Sequence, residues 1–278
     1  MMMAATAARE EAAATGAAAS GISIQNVSHS YGPVGHGVLA LDRINLDIGD
    51  CEFHCLLGPS GCGKSTLLYL LGGFIPVQSG QIVTPKGVVT GPGPDRSIVF
   101  QNFALFPWKT VRDNVLYGLK KAGFAAEERA RRAQEYIDLV HLTGFEDAYP
   151  SQLSGGMQQR AAIARTLAVD PRILLMDEPF GALDAQTRRV MQEELRAIWR
   201  RGRKTVVFVT HDVHEAVFLA DRISIMSARP GRIEHIIDVD LPKDRGEEIL
   251  EDSQFIQLSE QIWRLVREQA IAATRGAH

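Results

Sequence analysis

The chain has 278 residues, 45% of them apolar, with a formal net charge of -3. That apolar content can build a sizeable core in one globular unit with a smaller lobe, and the slightly negative balance excludes a nucleic-acid binder driven by bulk electrostatics. Three cysteines make no disulfide framework: Cys51 and Cys55, read on one strand, would stand roughly 13 Å apart at about 3.3 Å per residue, too far to bridge, so a reduced compartment fits.

Residues 1–20 are Ala-rich. Ala17-Ala18-Ala19 resembles a cleavage box, but Arg9-Glu10-Glu11 interrupts the stretch and no Leu-rich core precedes it, so we read a disordered or frayed leader. Cys51 to Leu57 then reads as a buried strand running into Gly58-Pro59-Ser60-Gly61-Cys62-Gly63-Lys64-Ser65, which fits G-x-x-x-x-G-K-[ST]. The glycines allow positive φ and close backbone approach, so successive N–H groups converge on phosphate oxygens. Thr66 to Leu71 continues as a helix whose N-terminus faces the same phosphates. In such a loop Lys64 bridges the β- and γ-phosphates and the Ser65 hydroxyl ligates Mg²⁺. Cys62, inside the loop, is expected to be a reactive liability whose alkylation blocks nucleotide.

Ile98-Val99-Phe100 is a second short apolar run and ends at Gln101, an uncharged side chain able to reach metal or water. Phe103-Ala104-Leu105-Phe106-Pro107-Trp108 follows and is either ordinary aromatic core or an exposed contact surface. Glu127 to Leu142 places Ala130, Ala133, Ile137 and Val140 or His141 on one side of a helix. Leu153-Ser154-Gly155-Gly156-Met157-Gln158-Gln159-Arg160 sets an N-cap serine and two uncovered glycine amides before a helix through Ile163 and Leu167. By itself this is a well-capped helix; as a second anion cradle it lacks an obvious phosphate.

Ile173-Leu174-Leu175-Met176 ends in Asp177-Glu178, as a buried parallel strand delivers carboxylates to its C-terminal edge. Asp177 is suited to hold Mg²⁺, directly or through water, and Glu178, pointing elsewhere because strand side chains alternate, to orient and deprotonate an attacking water. Val206 to Thr210 is another buried strand with His211 at its end, placed either to bond a γ-phosphate or to serve structure alone. Strand ends carrying Gln101, Asp177 and His211 describe one crevice. The tail puts Phe255, Leu258, Ile262 and Leu265 on one helical stripe, which we expect to pack on the protein's own core. Nowhere do 18 apolar residues run uninterrupted, and the helix after Ser154 contains Arg165.

Taken in order, these motifs closely resemble the nucleotide-binding subunit of an ATP-binding cassette (ABC) transporter over roughly residues 22 to 235. Gly58 to Ser65 matches the family's Walker A, Gln101 the Q-loop, Leu153 to Gln158 the signature, Ile173 to Glu178 Walker B, Ala182-Leu183-Asp184 the D-loop and His211 the switch histidine. Tyr31 matches the aromatic that stacks on adenine, and Met157 departs from the Gln of many relatives. The resemblance implies an α/β P-loop NTPase (RecA-like) core with an antiparallel β subdomain and an inserted helical signature subdomain. It divides the chain into core lobes 21–102 and 159–235, a helical lobe 103–158 and a helical tail 236–278.

It further implies a head-to-tail homodimer binding ATP and Mg²⁺. Tyr31, Gly58, Pro59, Ser60, Gly61, Cys62, Gly63, Lys64, Ser65 and Thr66 of one chain would meet Ser154, Gly155, Gly156, Gln158 and Asp184 of the other. Ser65, Gln101 and Asp177 would serve the metal; Glu178, His211 and Gln101 the hydrolysis. Permease subunits would dock near Phe103–Trp108 on the cytoplasmic face of the cell membrane, and a periplasmic or extracellular substrate-binding protein would act indirectly. Gly91 to Arg96, Phe106-Pro107-Trp108 with Val111 to Val115, and Ser227 to Arg232 resemble the nitrate, sulfonate and taurine importer branch. A soluble clamp of the same family, acting on nucleic acid or ribosomes, is the competing reading; DNA clamps insert a long coiled coil, whereas the stretch between Ser65 and Leu153 shows no sustained heptads. A plain P-loop kinase leaves Leu153 to Gln158 and His211 unexplained.

Overall fold

The computed structural model describes residues 21–33, 37–202 and 204–275; the leader read over residues 1–20 lies outside them. Two sheets carry the fold. β1 (Ile22–Tyr31), β2 (Val38–Ile48), β4 (Ser79–Thr84) and β5 (Gly87–Val88) form an antiparallel sheet in the order β2-β1-β4-β5. β3 (Phe53–Leu57), β6 (Arg96–Val99), β7 (Ile173–Asp177), β8 (Thr205–Val209), β9 (Arg222–Met226) and β10 (Ile233–Asp238) form a mixed sheet in the order β10-β9-β3-β8-β7-β6. Only the β9–β10 pair of that sheet is antiparallel.

β3, β7 and β8 are buried at every residue, which explains their unbroken apolar runs. Their side chains still alternate between two cores. Leu56, Leu175, Val207 and Val209 join α1 (Lys64–Gly72) and the inner face of the antiparallel sheet, including Ile24, Ile44 and Ile82. Phe53, Leu174, Met176 and Phe208 face the opposite core with α5 (Ala185–Gly202), α6 (Val213–Leu219) and α7 (Ser253–Arg275). Because α1 lies between two sheets, Leu67, Leu68, Leu70 and Leu71 are all buried, and past its polar first turn the helix has apolar residues on nearly every side.

α2 (Val111–Lys121), α3 (Ala126–Leu139) and α4 (Gly155–Ala168) form the helical lobe, and α4 runs unbroken across the expected 158/159 boundary. On α3 the buried stripe is Ala133 and Ile137, continued by Val140; Ala130 is exposed, and His141 sits beyond the helix at a positive φ of 54°. Cys51 is likewise off its expected strand, in the turn before β3 at φ 60°. All three cysteines are free. The tail stripe packs inward as expected: Phe255 and Ile262 are buried, with Leu258 and Leu265 against the same core. Arg196 and Arg245, which no sequence pattern singles out, are two buried arginines that donate to the carbonyls of Phe218, Leu219 and Ala220 and so cap the C-terminal end of α6. No helix among the described residues is long and apolar enough to cross a membrane.

One buried cluster imitates a hydrolase triad. His54 Nδ1 donates to Glu52 Oε1 at 2.7 Å and its Nε2 accepts from Ser224 Oγ at 2.8 Å, with the tautomer set by those partners. His54 and Ser224 are fully buried, so no substrate reaches the serine. Burial drives the His54 pKa below its ordinary value of 6.5, against the raising effect of Glu52. The unfolded histidine therefore takes up a proton that the folded one refuses, and stability falls as pH drops below about 6.5, by at most ~1.4 kcal/mol per pH unit for one proton. Urea unfolding between pH 7 and 5.5 should show this loss. His54→Gln should flatten the slope, and an unchanged slope would assign it to other groups.

Candidate functional site

The crevice forms where five strands of the mixed sheet end. β3 runs into the phosphate loop, in which Gly61 (φ 76°) and Gly63 (φ 103°) hold left-handed backbone. A Cβ at Gly63 would stand 2.6 Å from Leu41 Cδ2, so both conformation and space require glycine there. The Lys64 ammonium donates to the carbonyls of Gly58 at 2.8 Å and Pro59 at 3.0 Å, which stretches its side chain along the loop. A cavity of about 530 Å³ lies above. Tyr31, Val38 and Ala40 border it on one side, Ser60, Gly61, Gly63, Lys64, Ser65 and Thr66 supply its phosphate loop, and Gln101 and Glu178 also line it. Tyr31 is half exposed and shares a hydrogen bond of 3.2 Å with Thr66 Oγ1, which fixes its ring at the cavity mouth.

Asp177 lies beneath the loop, 1% exposed, with both oxygens occupied: Oδ1 accepts from Ser65 Oγ at 2.9 Å and Oδ2 from Tyr69 Oη at 3.1 Å. Burial raises its pKa, opposed by those two hydrogen bonds, and burial with the Asp177 charge pushes Tyr69 up to about 12. Ser65, Asp177 and Gln101 are all hard oxygen donors, and no group of three or more His, Cys, Asp or Glu suited to a metal occurs among the described residues. Such a set suits Mg²⁺, which keeps water and phosphate ligands rather than a full protein cage.

Glu178 is set apart by its backbone. It adopts φ 46°, a left-handed conformation that costs a non-glycine residue about 1–3 kcal/mol, and its N–H bonds Val209 O at 3.0 Å. Gln101 Nε2 donates to Glu178 Oε2 at 3.4 Å, and His211 Nδ1 stands 3.4 Å from that same oxygen. Oε1 has no partner among the described residues, leaving a lone pair for a water proton. Gln159, overlooked in the sequence, secures this turn. Buried at 1% exposure on α4, it donates from Nε2 to Glu178 O at 3.2 Å and accepts the Ala182 N–H at 3.0 Å. Its signal was available only as a polar side chain on the inner face of a helix.

The expected second half of the site lies elsewhere. Ser154 caps α4, accepting the Met157 N–H at 3.3 Å, and Ser154, Gly155 and Gly156 do not line the cavity. Gln158 is committed to the carbonyls of Pro150 and Leu153 at 3.0 and 3.2 Å. Asp184 caps α5 through Thr187 N and Oγ1, and these bonds lower its pKa. One chain thus brings together Tyr31, Ser60 to Thr66, Gln101, Asp177, Glu178 and His211, and leaves the Ser154 and Asp184 segments outside.

The aromatic stretch resolves into two kinds of residue. Asn114, fully buried, accepts the Phe106 N–H and donates to the carbonyls of Phe106, Lys109 and Thr110, while Arg165 donates to Phe103 O and Ala104 O. Phe106 packs edge-on against Tyr117, whereas Trp108 is 70% exposed, which removes the core reading for Trp108.

The expectation for Cys62 needs correction. Its thiol is 1% exposed, and burial raises its pKa, opposed by nearby Lys64, so little reactive thiolate reaches solvent. Iodoacetamide should label Cys51, which is partly exposed, well before Cys62. Mass spectrometry of partly labelled protein checks the order; early modification of Cys62 with loss of ATP binding would restore the first reading.

Comparison with known proteins agrees with this geometry. Residues 41–181 match the model of the ABC transporter family. A nitrate import ATP-binding protein of Synechocystis sp. is 49% identical over 245 residues, covering 86% of this chain and 92% of that protein. A taurine import ATP-binding protein of Rhizobium johnstonii is 49% identical over 233 residues, covering 82% and 89%. A dimeric ATP-binding cassette in a post-hydrolysis state, bound to ADP and Pi, superposes with a TM-score of 0.72 at 34% identity, over 80% of this chain and 100% of that one. With its phosphate loop, its carboxylates at strand ends and its capped Ser154 helix in the family's order, the chain belongs to the ABC transporter family, as the ATP-hydrolysing subunit of an importer.

Proposed function

We propose that the chain energises uptake of a small oxyanion or sulfonate, of the nitrate, taurine or aliphatic sulfonate type, working as a head-to-tail homodimer under separate permease subunits at the cytoplasmic face of the membrane. The observation that carries the dimeric mechanism is the division of the site: the P-loop cavity has Lys64 and Glu178 on its walls, while the Ser154 N-cap and the amides of Gly155 and Gly156 stand outside it. A helix N-terminus with uncovered amides suits phosphate, and a second copy turned head to tail would supply it to the nucleotide held by Lys64. The relatives' transport of nitrate and taurine supports the cargo class.

In this mechanism Tyr31 stacks on the base and the loop amides with Lys64 hold the phosphate chain. Ser65, Asp177 and Gln101 would hold magnesium, which supplies charge neutralisation on the phosphates when bound. Glu178, anchored through Oε2 by Gln101 and His211, keeps Oε1 free to accept a proton from the attacking water. Trp108, carried on the loop that Asn114 and Arg165 clamp, would anchor a permease segment. The substrate-binding protein acts only through that permease.

Two substitutions test the scheme. Glu178→Gln should bind ATP, accumulate a closed dimer on size exclusion and lose roughly 10²–10⁴-fold in turnover; near-normal hydrolysis would remove Glu178 from the role of base. Trp108→Ala, at an exposed position, should leave ATP binding and melting temperature unchanged while substrate uptake by the assembled transporter collapses. Full uptake with the alanine would place the permease contact elsewhere.

A further inference from the structure

β9 also delivers a loop to the crevice, one marked so far only by its likeness to the nitrate, sulfonate and taurine importer branch and given no role in the site. Ser227-Ala228-Arg229-Pro230-Gly231-Arg232 follows the carboxyl end of β9 and turns back into β10. The loop is held rigidly. Ser227 Oγ donates to Pro230 O at 3.0 Å and accepts the Arg232 N–H at 2.9 Å, and the Arg232 guanidinium pairs with Asp42. Gly231 bonds the backbone on both sides, its N–H to Ala40 O at 2.8 Å and its carbonyl from Asp42 N at 3.0 Å. A Cβ on Gly231 would fall 2.1 Å from Cys62 O, so the loop lies directly against the phosphate loop.

This platform carries Arg229 into the nucleotide cavity. Arg229 lines the same cavity as Ser60, Gly61, Lys64 and Glu178, and its Nη2 stands 3.5 Å from where a Cβ on Gly61 would lie. Neighbouring arginines are engaged: Arg232 with Asp42, Arg222 with Glu52 and Asp238. Arg229 has no hydrogen-bond or ion-pair partner among the described residues. Its charge also meets a need. Among the described residues Lys64 is the only other Lys or Arg on the cavity wall, and Glu178 on the wall with Asp177 behind Ser65 brings two carboxylates. A triphosphate stays anionic even after one divalent cation binds, so Lys64 alone does not balance it.

We infer that Arg229 is a further nucleotide-binding residue, a guanidinium held by the β9–β10 loop over Gly61 to pair with the phosphate chain of ATP or ADP. The inference rests on the reading of this cavity as the ATP site. Its planar fork suits two phosphate oxygens at once, which a lysine meets only as a point charge.

The test uses the full chain, monomeric by size exclusion, with ATP and ADP in magnesium-free buffer, so that dimer closure and hydrolysis do not contribute. Arg229→Ala should raise the ATP dissociation constant about tenfold, as expected for loss of a hydrogen bond between charged groups. It should also weaken the salt dependence of binding, and Arg229→Lys should recover part of the affinity. Because Arg229 is exposed, the melting temperature should not change, and Arg229→Gln gives a second uncharged variant. ATP affinity within twofold of wild type in both Arg229→Ala and Arg229→Gln overturns the inference, as does a loss that appears only in the dimer. Lys64→Ala separates the two readings: if it abolishes binding while Arg229→Ala does not, Arg229 alone is excluded; if it leaves binding intact, the cavity is not the ATP site.

Discussion

Everything in this molecule hangs on the register of the central parallel strands. Leu56 of β3 and Asp177 of β7 both pair with Val209 of β8, and Val99 of β6 pairs with Met176. The carboxyl ends of four strands therefore finish at one level, and the phosphate loop, Gln101, Asp177 and His211 emerge side by side. Because side chains alternate with period two, a slip of one residue in β7 would turn Asp177 from Ser65 into the opposite core. The mainly apolar cores on both sheet faces make that slip costly. Stability and chemistry thus rest on the same alignment.

A second layer of buried polar contacts ties the helical lobe to that edge. Gln159 connects α4 to the Glu178 turn, and Arg165, on the same helix, holds the carbonyls of Phe103 and Ala104 just beyond Gln101. Both clamps therefore leave one rigid helix, whose N-terminus is the Ser154 cap. Any rotation of α4 would move the Ser154 amides, the backbone of Glu178 and the loop bearing Trp108 together. This common lever gives a physical route between events at the nucleotide and events at the Trp108 surface.

Much of the site was legible because phosphate chemistry demands particular residues in sequence order. Gly58 to Ser65, Asp177-Glu178 and His211 each follow an apolar strand, and all converge as expected. What escaped notice depended on packing. Gln159 and Asn114 are ordinary polar residues until burial forces each to satisfy backbone groups across a turn, and Arg196 and Arg245 acquire meaning only against the end of α6. Cys62 was misjudged for the same reason: its position suggested exposure in a loop, whereas its thiol faces the core beneath that loop.

The linear sequence by itself determined the ligand class, the order of the motifs and the alternation of strands and helices, because local backbone freedom, apolar runs and short-range spacing are written residue by residue. Tertiary structure alone decided which groups share an oxygen and which charges stand free. Glu178 receives Gln101 and His211 on one oxygen only because a left-handed turn at the end of β7 sets its carboxylate between the ends of β6 and β8. Arg229 and Lys64 face one cavity only because the β9–β10 loop folds onto the phosphate loop. Such convergences join residues far apart in the chain, and long-range packing, which no local pattern encodes, sets their geometry.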